Sequence, residues 1–310
     1  MKVLVTGAGG FIGQHLCIWF SQLGYEVIAL GRISQEKERL LNQYAISKIV
    51  NIDISFNDEL VDFFRKNQPD VCIHSAGGAS VNNSFQYPYK DYHDTVESCI
   101  SILEAIRQGS LKTFFVYLSS AAVYGNPVSL PINESSPISP ISPYGYNKMI
   151  CERIIEEYTK IYGIQSLIFR IFSVYGNGLK KQILYDLCKK FSNREMNSVE
   201  LFGDGTETRD FIHIQDAVKC IDLFVHRREM GIFNLATGLH TEISRLAVMV
   251  KKELESDKSI IFKGDSRAGD PSFWQADTKQ LRGKGFIPEI SIEKGVSSYC
   301  KWFTQIMEGV

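Results

Sequence analysis

The feature that most constrains the fold is the opening segment MKVLVTGAGGFIG. An apolar run, Lys2–Thr6, passes straight into Gly7, Gly10 and Gly13 and on into the helix-period segment 11–23, which stops at Gly24. Residues without a Cβ permit a tight turn and a close backbone approach. A helix opening there presents unpaired N–H groups and a partial positive charge. That combination holds a pyrophosphate. A glycine triplet alone says little; its place directly after a strand and at the start of a helix gives it weight. Gly7, Gly10, Phe11, Ile12 and Gly13 are therefore candidate cofactor contacts.

The chain then alternates short apolar runs with amphipathic stretches. Strands are expected at 26–30, 47–52, 70–75, 113–118 and 166–171. Helices are expected after the third strand through Phe64, over roughly 89–107, and from near Tyr144 to just before Gly163. Strands that are apolar throughout, alternating with helices, imply a parallel sheet covered on both faces. Right-handed crossovers make it doubly wound. The expected fold class is α/β, a Rossmann-type doubly wound parallel sheet with a smaller mixed α/β lobe. Residues 1–172 with about 210–236 are assigned to the nucleotide domain, and about 173–209 with 237–310 to the lobe. The segment 210–225 is expected to return to the main sheet.

Composition excludes several classes. The 310 residues carry a formal net charge of −1, without the basic face of a nucleic-acid binder. No run reaches the roughly 18 apolar residues of a membrane span, and the N-terminus lacks a signal-peptide pattern. Seven cysteines stand at 17, 72, 99, 151, 188, 220 and 300, mostly in apolar segments and with no Cys-x-x-Cys pair. Buried small hydrophobes are expected, with no disulfide and no metal, in a reducing cytoplasm.

The end of the second strand reads Ala29-Leu30-Gly31-Arg32. A carboxylate there would address the ribose 2′-OH of NAD, whereas an arginine suits a 2′-phosphate. Arg32, with no carboxylate placed beside it in the sequence, favours NADP, with NAD as the alternative. Asp53 ends the third strand and reads either as an adenine contact or as a helix cap.

Pro143-Tyr144-Gly145-Tyr146-Asn147-Lys148 places a tyrosine and a lysine at i and i+4, on one helix face. An ammonium beside a phenol favours the phenolate and makes a general acid/base. Tyr146 falls on another face. Ser120 follows the fifth strand, at the carboxyl edge where doubly wound sheets bind ligands.

With these residues in hand, the chain resembles the extended short-chain dehydrogenase/reductase family, in its sugar-nucleotide epimerase, dehydratase and reductase branch. The match runs through the glycine loop, Asp53-Ile54, 74–77, the Ser120 segment, Tyr144/Lys148, 170–176 (RIFSVYG), 209–213 (RDFIH) and 267–271. The resemblance implies Ser120, Tyr144 and Lys148 as the catalytic group. It implies cofactor contacts from Ile54, Ala76, Gly77, Ser119, Tyr144 and Lys148. Substrate contacts are implied for Ser80, Ser173, Arg209 and Arg267, the arginines on a diphosphate. A homodimer built on the two long helices is also implied. Ala121 and Ala122 stand where dehydratases of the branch carry an acid pair, which disfavours 4,6-dehydration. Ser173 and Thr95 stand where asparagines are common.

The reading placed first is an NADPH-dependent reductase of a 4-keto(-6-deoxy)hexose carried on a nucleoside diphosphate. The alternative is an NAD-dependent 4-epimerase of a nucleotide sugar, with a net C4 dehydrogenase as a further variant. From another class, a non-catalytic redox-sensing module on the same fold is retained.

Overall fold

The computed structural model describes residues 1–54, 57–265, 269 and 271–308. Among these, the strands in chain order are β1 (Lys2–Thr6), β2 (Glu26–Gly31), β3 (Lys48–Asn51), β4 (Val71–His74), β5 (Phe114–Ser120), β6 (Ser166–Ile171), β7 (Ser173–Tyr175), β8 (Ser198–Leu201), β9 (Thr208–His213), β10 (Gly231–Leu235), β11 (His240–Glu242) and β12 (Ser259–Phe262). The main sheet has the order β10-β6-β5-β4-β1-β2-β3. Its pairings from β3 across to β6 are parallel. This is a doubly wound α/β sheet.

Two compact units emerge from the chain: residues 1–125, 137–171 and 218–233, and residues 126–136, 172–217 and 234–310. In the first, consecutive strand residues such as Val3, Leu4 and Val5 are all buried, as a sheet covered on both faces requires. Leu4, Leu30, Cys72, Phe115 and Tyr117 point to one side. There they meet Phe64, Cys99, Ile102, Ile106, Cys151 and Ile155 from the helices Asp58–Asn67, Ser98–Gly109 and Pro143–Tyr162. On the other side Phe169 meets Phe224 edge-on at 5.3 Å. There too the Trp19 indole N–H donates to Asp222, joining the helices Phe11–Gln22 and Ile214–His226.

The expected long helix over 89–107 is present from Pro88 to Gly109 but is interrupted by a π turn at His93–Glu97. Ser98 Oγ donates to the carbonyls of Asp94 at 2.7 Å and Thr95 at 3.3 Å, inside the helical ladder. Hydroxyls that bond back to helix carbonyls perturb the ladder in this way.

The expected return of the segment 210–225 to the main sheet holds only for its helical part, which packs there through Asp222 and Phe224; β9 instead joins β7 and β11 in a separate three-stranded sheet, and β10 forms the edge beside β6. The reason is the buried carboxylate of Asp210. It accepts from Thr237 N at 2.8 Å, Thr237 Oγ1 at 2.7 Å, Gly238 N at 2.9 Å and Ala276 N at 3.2 Å. Loops can supply four such donors, whereas neighbouring apolar strands would leave the charge unpaired. All seven cysteines are buried and none is disulfide-bonded. No helix among the described residues is long and apolar enough to cross a membrane.

A buried ion pair ties the sheet to the Pro143–Tyr162 helix. Arg170 on β6 donates from Nη2 to Glu152 Oε2 at 2.7 Å and from Nε to Oε1 at 3.0 Å. Ser119 Oγ adds a 2.6 Å bond to the same carboxylate, and Arg170 Nη1 reaches the Tyr124 hydroxyl at 2.9 Å. Removing one partner leaves a buried charge uncompensated, so Glu152→Gln should cost about 3–5 kcal/mol in urea unfolding. Glu156→Gln, on the same helix but exposed, should leave the unfolding midpoint where it was.

Candidate active site

β1 ends at Thr6 and the chain turns through Gly7, whose φ is +65°. A Cβ on Gly13 would lie 2.2 Å from the Gly7 carbonyl oxygen, so the first helical turn and the loop touch only because that side chain is absent. Gly10 caps the helix without a side-chain hydrogen bond. The first-turn N–H groups, including those of Phe11, Ile12 and Gly13, point into this turn. The cradle fits the pyrophosphate of a dinucleotide, by steric room and by dipole.

β4 delivers the other wall. Ala76 N donates to Thr6 Oγ1 at 3.3 Å, and the same hydroxyl lies 2.9 Å from His74 Nδ1. His74 is fully buried. Burial first, and the Lys148 charge second, push its pKa down to about 3, so it is a neutral strut. Ala76 and Gly77 are thereby fixed beside the glycine loop.

Ser120 closes β5. Its Oγ accepts from Ala122 N at 3.1 Å and starts the short turn Ala121–Tyr124. The helix Pro143–Tyr162 starts equally firmly. Ser142 Oγ accepts from Gly145 N at 3.1 Å and Pro143 occupies the first turn. The free N–H of Tyr144 finds Ser84 Oγ at 3.1 Å. One turn on, Lys148 is buried and donates from Nζ to the Leu118 carbonyl at 2.8 Å. That ammonium lies 4.9 Å from the centre of the Tyr117 ring and 5.9 Å from that of Tyr144. The tyrosine, the lysine and the end of β5 are thus brought together. Tyr146 is half exposed on the opposite face. Asn147 Nδ2 donates to Asp91 at 2.7 Å and ties the helix to Pro88–Tyr92.

Other predicted positions fall differently. Ser119 turns its hydroxyl to Glu152, away from the face that Ser120 serves. Ile54 is a core residue, so only its backbone is free for a ligand. Ser80 Oγ caps the helix Val81–Gln86 by accepting from Asn83 N at 3.2 Å. In the second unit, Ser173 lies on β7. Arg209 lies on β9, where it donates to the Thr208 carbonyl at 2.9 Å and sits 5.8 Å from the Trp274 ring centre. Arg267 lies outside the described residues.

Arg32 requires a correction. Two carboxylates do stand beside it: its Nη2 lies 3.1 Å from Asp94 Oδ1, and its Nε 3.9 Å from Asp53 Oδ1. The π turn carries Asp94, 62 positions along the chain from Arg32, so no local pattern announces the contact. Sequence reasoning also missed Gly9, Ser84 and Asp94. Of these only Gly9 had a signal, the doubled glycine of GAGG: a Cβ there would lie 2.4 Å from the Arg32 carbonyl oxygen.

Residues 3–236 match the NAD dependent epimerase/dehydratase family. A Methanocaldococcus jannaschii protein provisionally named UDP-glucose 4-epimerase is 32% identical over 304 residues, with 97% of both chains covered. The UDP-glucose 4-epimerase of Bacillus subtilis is 28% identical over 340 residues, with 100% of this chain and 98% of that one covered. Among solved structures, the UDP-glucuronic acid 4-epimerase of Bacillus cereus, in complex with UDP-glucuronic acid and NAD, superposes with a TM-score of 0.90. It is 26% identical and covers 99% of this chain and 100% of its own.

If the cradle holds a dinucleotide, Gly13→Ala should weaken NAD binding by about tenfold or more, because the new methyl displaces the loop or the helix turn. Isothermal titration with NAD against the parent chain checks this.

Proposed function

Since the chain belongs to the NAD dependent epimerase/dehydratase family, we propose that this enzyme is an NAD-dependent 4-epimerase of a UDP-sugar. The observation that carries the reading is end-to-end likeness to 4-epimerases, with 98% of the Bacillus subtilis enzyme and 100% of the Bacillus cereus enzyme covered. The expectation of an NADPH-dependent 4-keto reductase has no such support: of its two motives, the arginine free of carboxylates is gone, and the missing acid pair after Ser120 suits an epimerase equally.

Bound at the Gly7–Gly13 cradle, NAD would supply the acceptor and donor of the electron pair that leaves and re-enters C4. The chain's own groups handle the proton and the positioning. Tyr144 takes the proton of the C4 hydroxyl and returns it to the C4 oxygen of the inverted sugar. Ser120 Oγ hydrogen-bonds that oxygen in both states. Lys148, anchored on the Leu118 carbonyl, holds a positive charge beside the Tyr144 ring and serves the cofactor ribose. Ala76 and Gly77 line the cofactor. Arg209 is the described candidate for the substrate diphosphate. Ala121 and Ala122 place no carboxyl after Ser120, so loss of the C6 hydroxyl has no acid to drive it.

The test is interconversion of UDP-glucose and UDP-galactose, followed by NMR with no reductant added, then the same with UDP-glucuronic acid and UDP-N-acetylglucosamine. Inversion at C4 for one of these pairs is expected. Inversion of none, together with NADPH-dependent reduction of a 4-keto sugar nucleotide, would return the reductase. Tyr144→Phe should lower kcat by about 10²- to 10⁴-fold while the chain still binds NAD. An undiminished rate would remove Tyr144 from the proton transfer.

A further inference from the structure

The segment that follows β2 carries a charge arrangement that the glycine loop does not account for. In a doubly wound sheet the residue at this strand end addresses the 2′ position of the adenosine ribose. Arg32 stands there, its backbone carbonyl packed against Gly9 of the loop. Taken by itself it would welcome a 2′-phosphate. The surroundings argue otherwise. Asp94 is largely buried and binds Arg32 through Oδ1 at 3.1 Å and Lys90 through Oδ2 at 2.9 Å. Asp53 approaches the same guanidinium from the end of β3, at 3.9 Å. Glu97 lies one helical turn beyond, 3.4 Å from His93 Nε2. Arg32 and Lys90 are thus both paired with carboxylates.

We propose that Asp94 is the cofactor-selecting residue of this chain: by holding the Arg32 guanidinium and the Lys90 ammonium on its two oxygens, it denies both to a 2′-phosphate and makes the site one for NAD. A dianionic 2′-phosphate would have to displace a carboxylate from an arginine and then lie beside it. A ribose hydroxyl carries no charge and meets no such conflict. Ordinarily the NAD-selecting acid sits at the end of the second strand itself. Here an arginine occupies that place, and the acid comes from the π turn at His93–Glu97. Burial of Asp94 opposes its ionisation, but hydrogen bonds from Lys90 and Arg32 outweigh that and hold its pKa below the ordinary carboxylate value. The charge the argument needs is therefore present at neutral pH.

The inference rests on the dinucleotide reading of the glycine loop but not on the sugar chemistry, and its test uses nucleotide binding alone. The purified chain is equilibrated with equal concentrations of NAD and NADP, freed of unbound nucleotide and denatured, and the two released nucleotides are quantified. The parent chain should retain NAD over NADP by about tenfold or more. Asp94→Asn should move that ratio toward NADP by about tenfold, and Asp94→Asn combined with Arg32→Ala should return it, because the gained affinity comes from the freed guanidinium. Asp53→Asn, at an exposed side chain, should shift the ratio in the same direction by about twofold and serves if Asp94→Asn fails to fold. A parent chain that prefers NADP, or ratios that stay within about twofold of the parent in Asp94→Asn and do not move in Asp53→Asn, would overturn the proposal. Release of neither nucleotide from any of the chains would overturn the dinucleotide reading and the proposal with it. Loss of sugar epimerisation with the nucleotide ratios as expected would sink the proposed reaction and leave this inference standing.

Discussion

A parallel sheet buried on both faces can offer its residues to a ligand only where its strands end. Val3, Leu4 and Val5 have no exposed surface, and neither do Val71, Cys72 and Ile73 on the neighbouring strand. The candidate groups of the first unit therefore gather at carboxyl edges: the glycine turn after β1, Arg32 after β2, Ala76 and Gly77 after β4, and Ser120 at the end of β5. The Pro143–Tyr162 helix is then pinned to that edge by the Lys148–Leu118 bond and by the Glu152–Arg170 pair. Tyr144 is carried by a helix whose cap and anchors are both fixed.

The same logic explains what could be read from the sequence. Strand identity comes from apolar runs, and the run 166–171, apolar but for Ser166 and Arg170, keeps its bounds in the structure. The glycine loop and the Tyr144/Lys148 spacing are local as well, held within seven consecutive residues and within about one helical turn respectively. Contacts across the chain left no such trace. Asp94 reaches Arg32, and Ser84 reaches the Tyr144 backbone, over separations that no periodicity encodes. The departure of β9 from the main sheet was equally hidden, since the donors that satisfy its Asp210 come from loops around residues 237 and 276.

Charge at this edge is arranged rather than merely present. The Lys148 ammonium lies 5.9 Å from the Tyr144 ring centre, and the neighbouring histidine is kept neutral by burial. Arg32, the cation nearest the expected adenosine end, is occupied by carboxylates. The carboxylates on Arg32 remove the charge-based motive for a 2′-phosphate.

The most direct measurement uses UDP-glucose labelled with deuterium at C4, incubated with the purified chain and unlabelled NADH in solution. Recycling within the bound pair predicts UDP-galactose that keeps its deuterium at C4, with none in the free nucleotide. Deuterium lost to water or found in free NADH would contradict a retained, recycling cofactor and the 4-epimerase account with it.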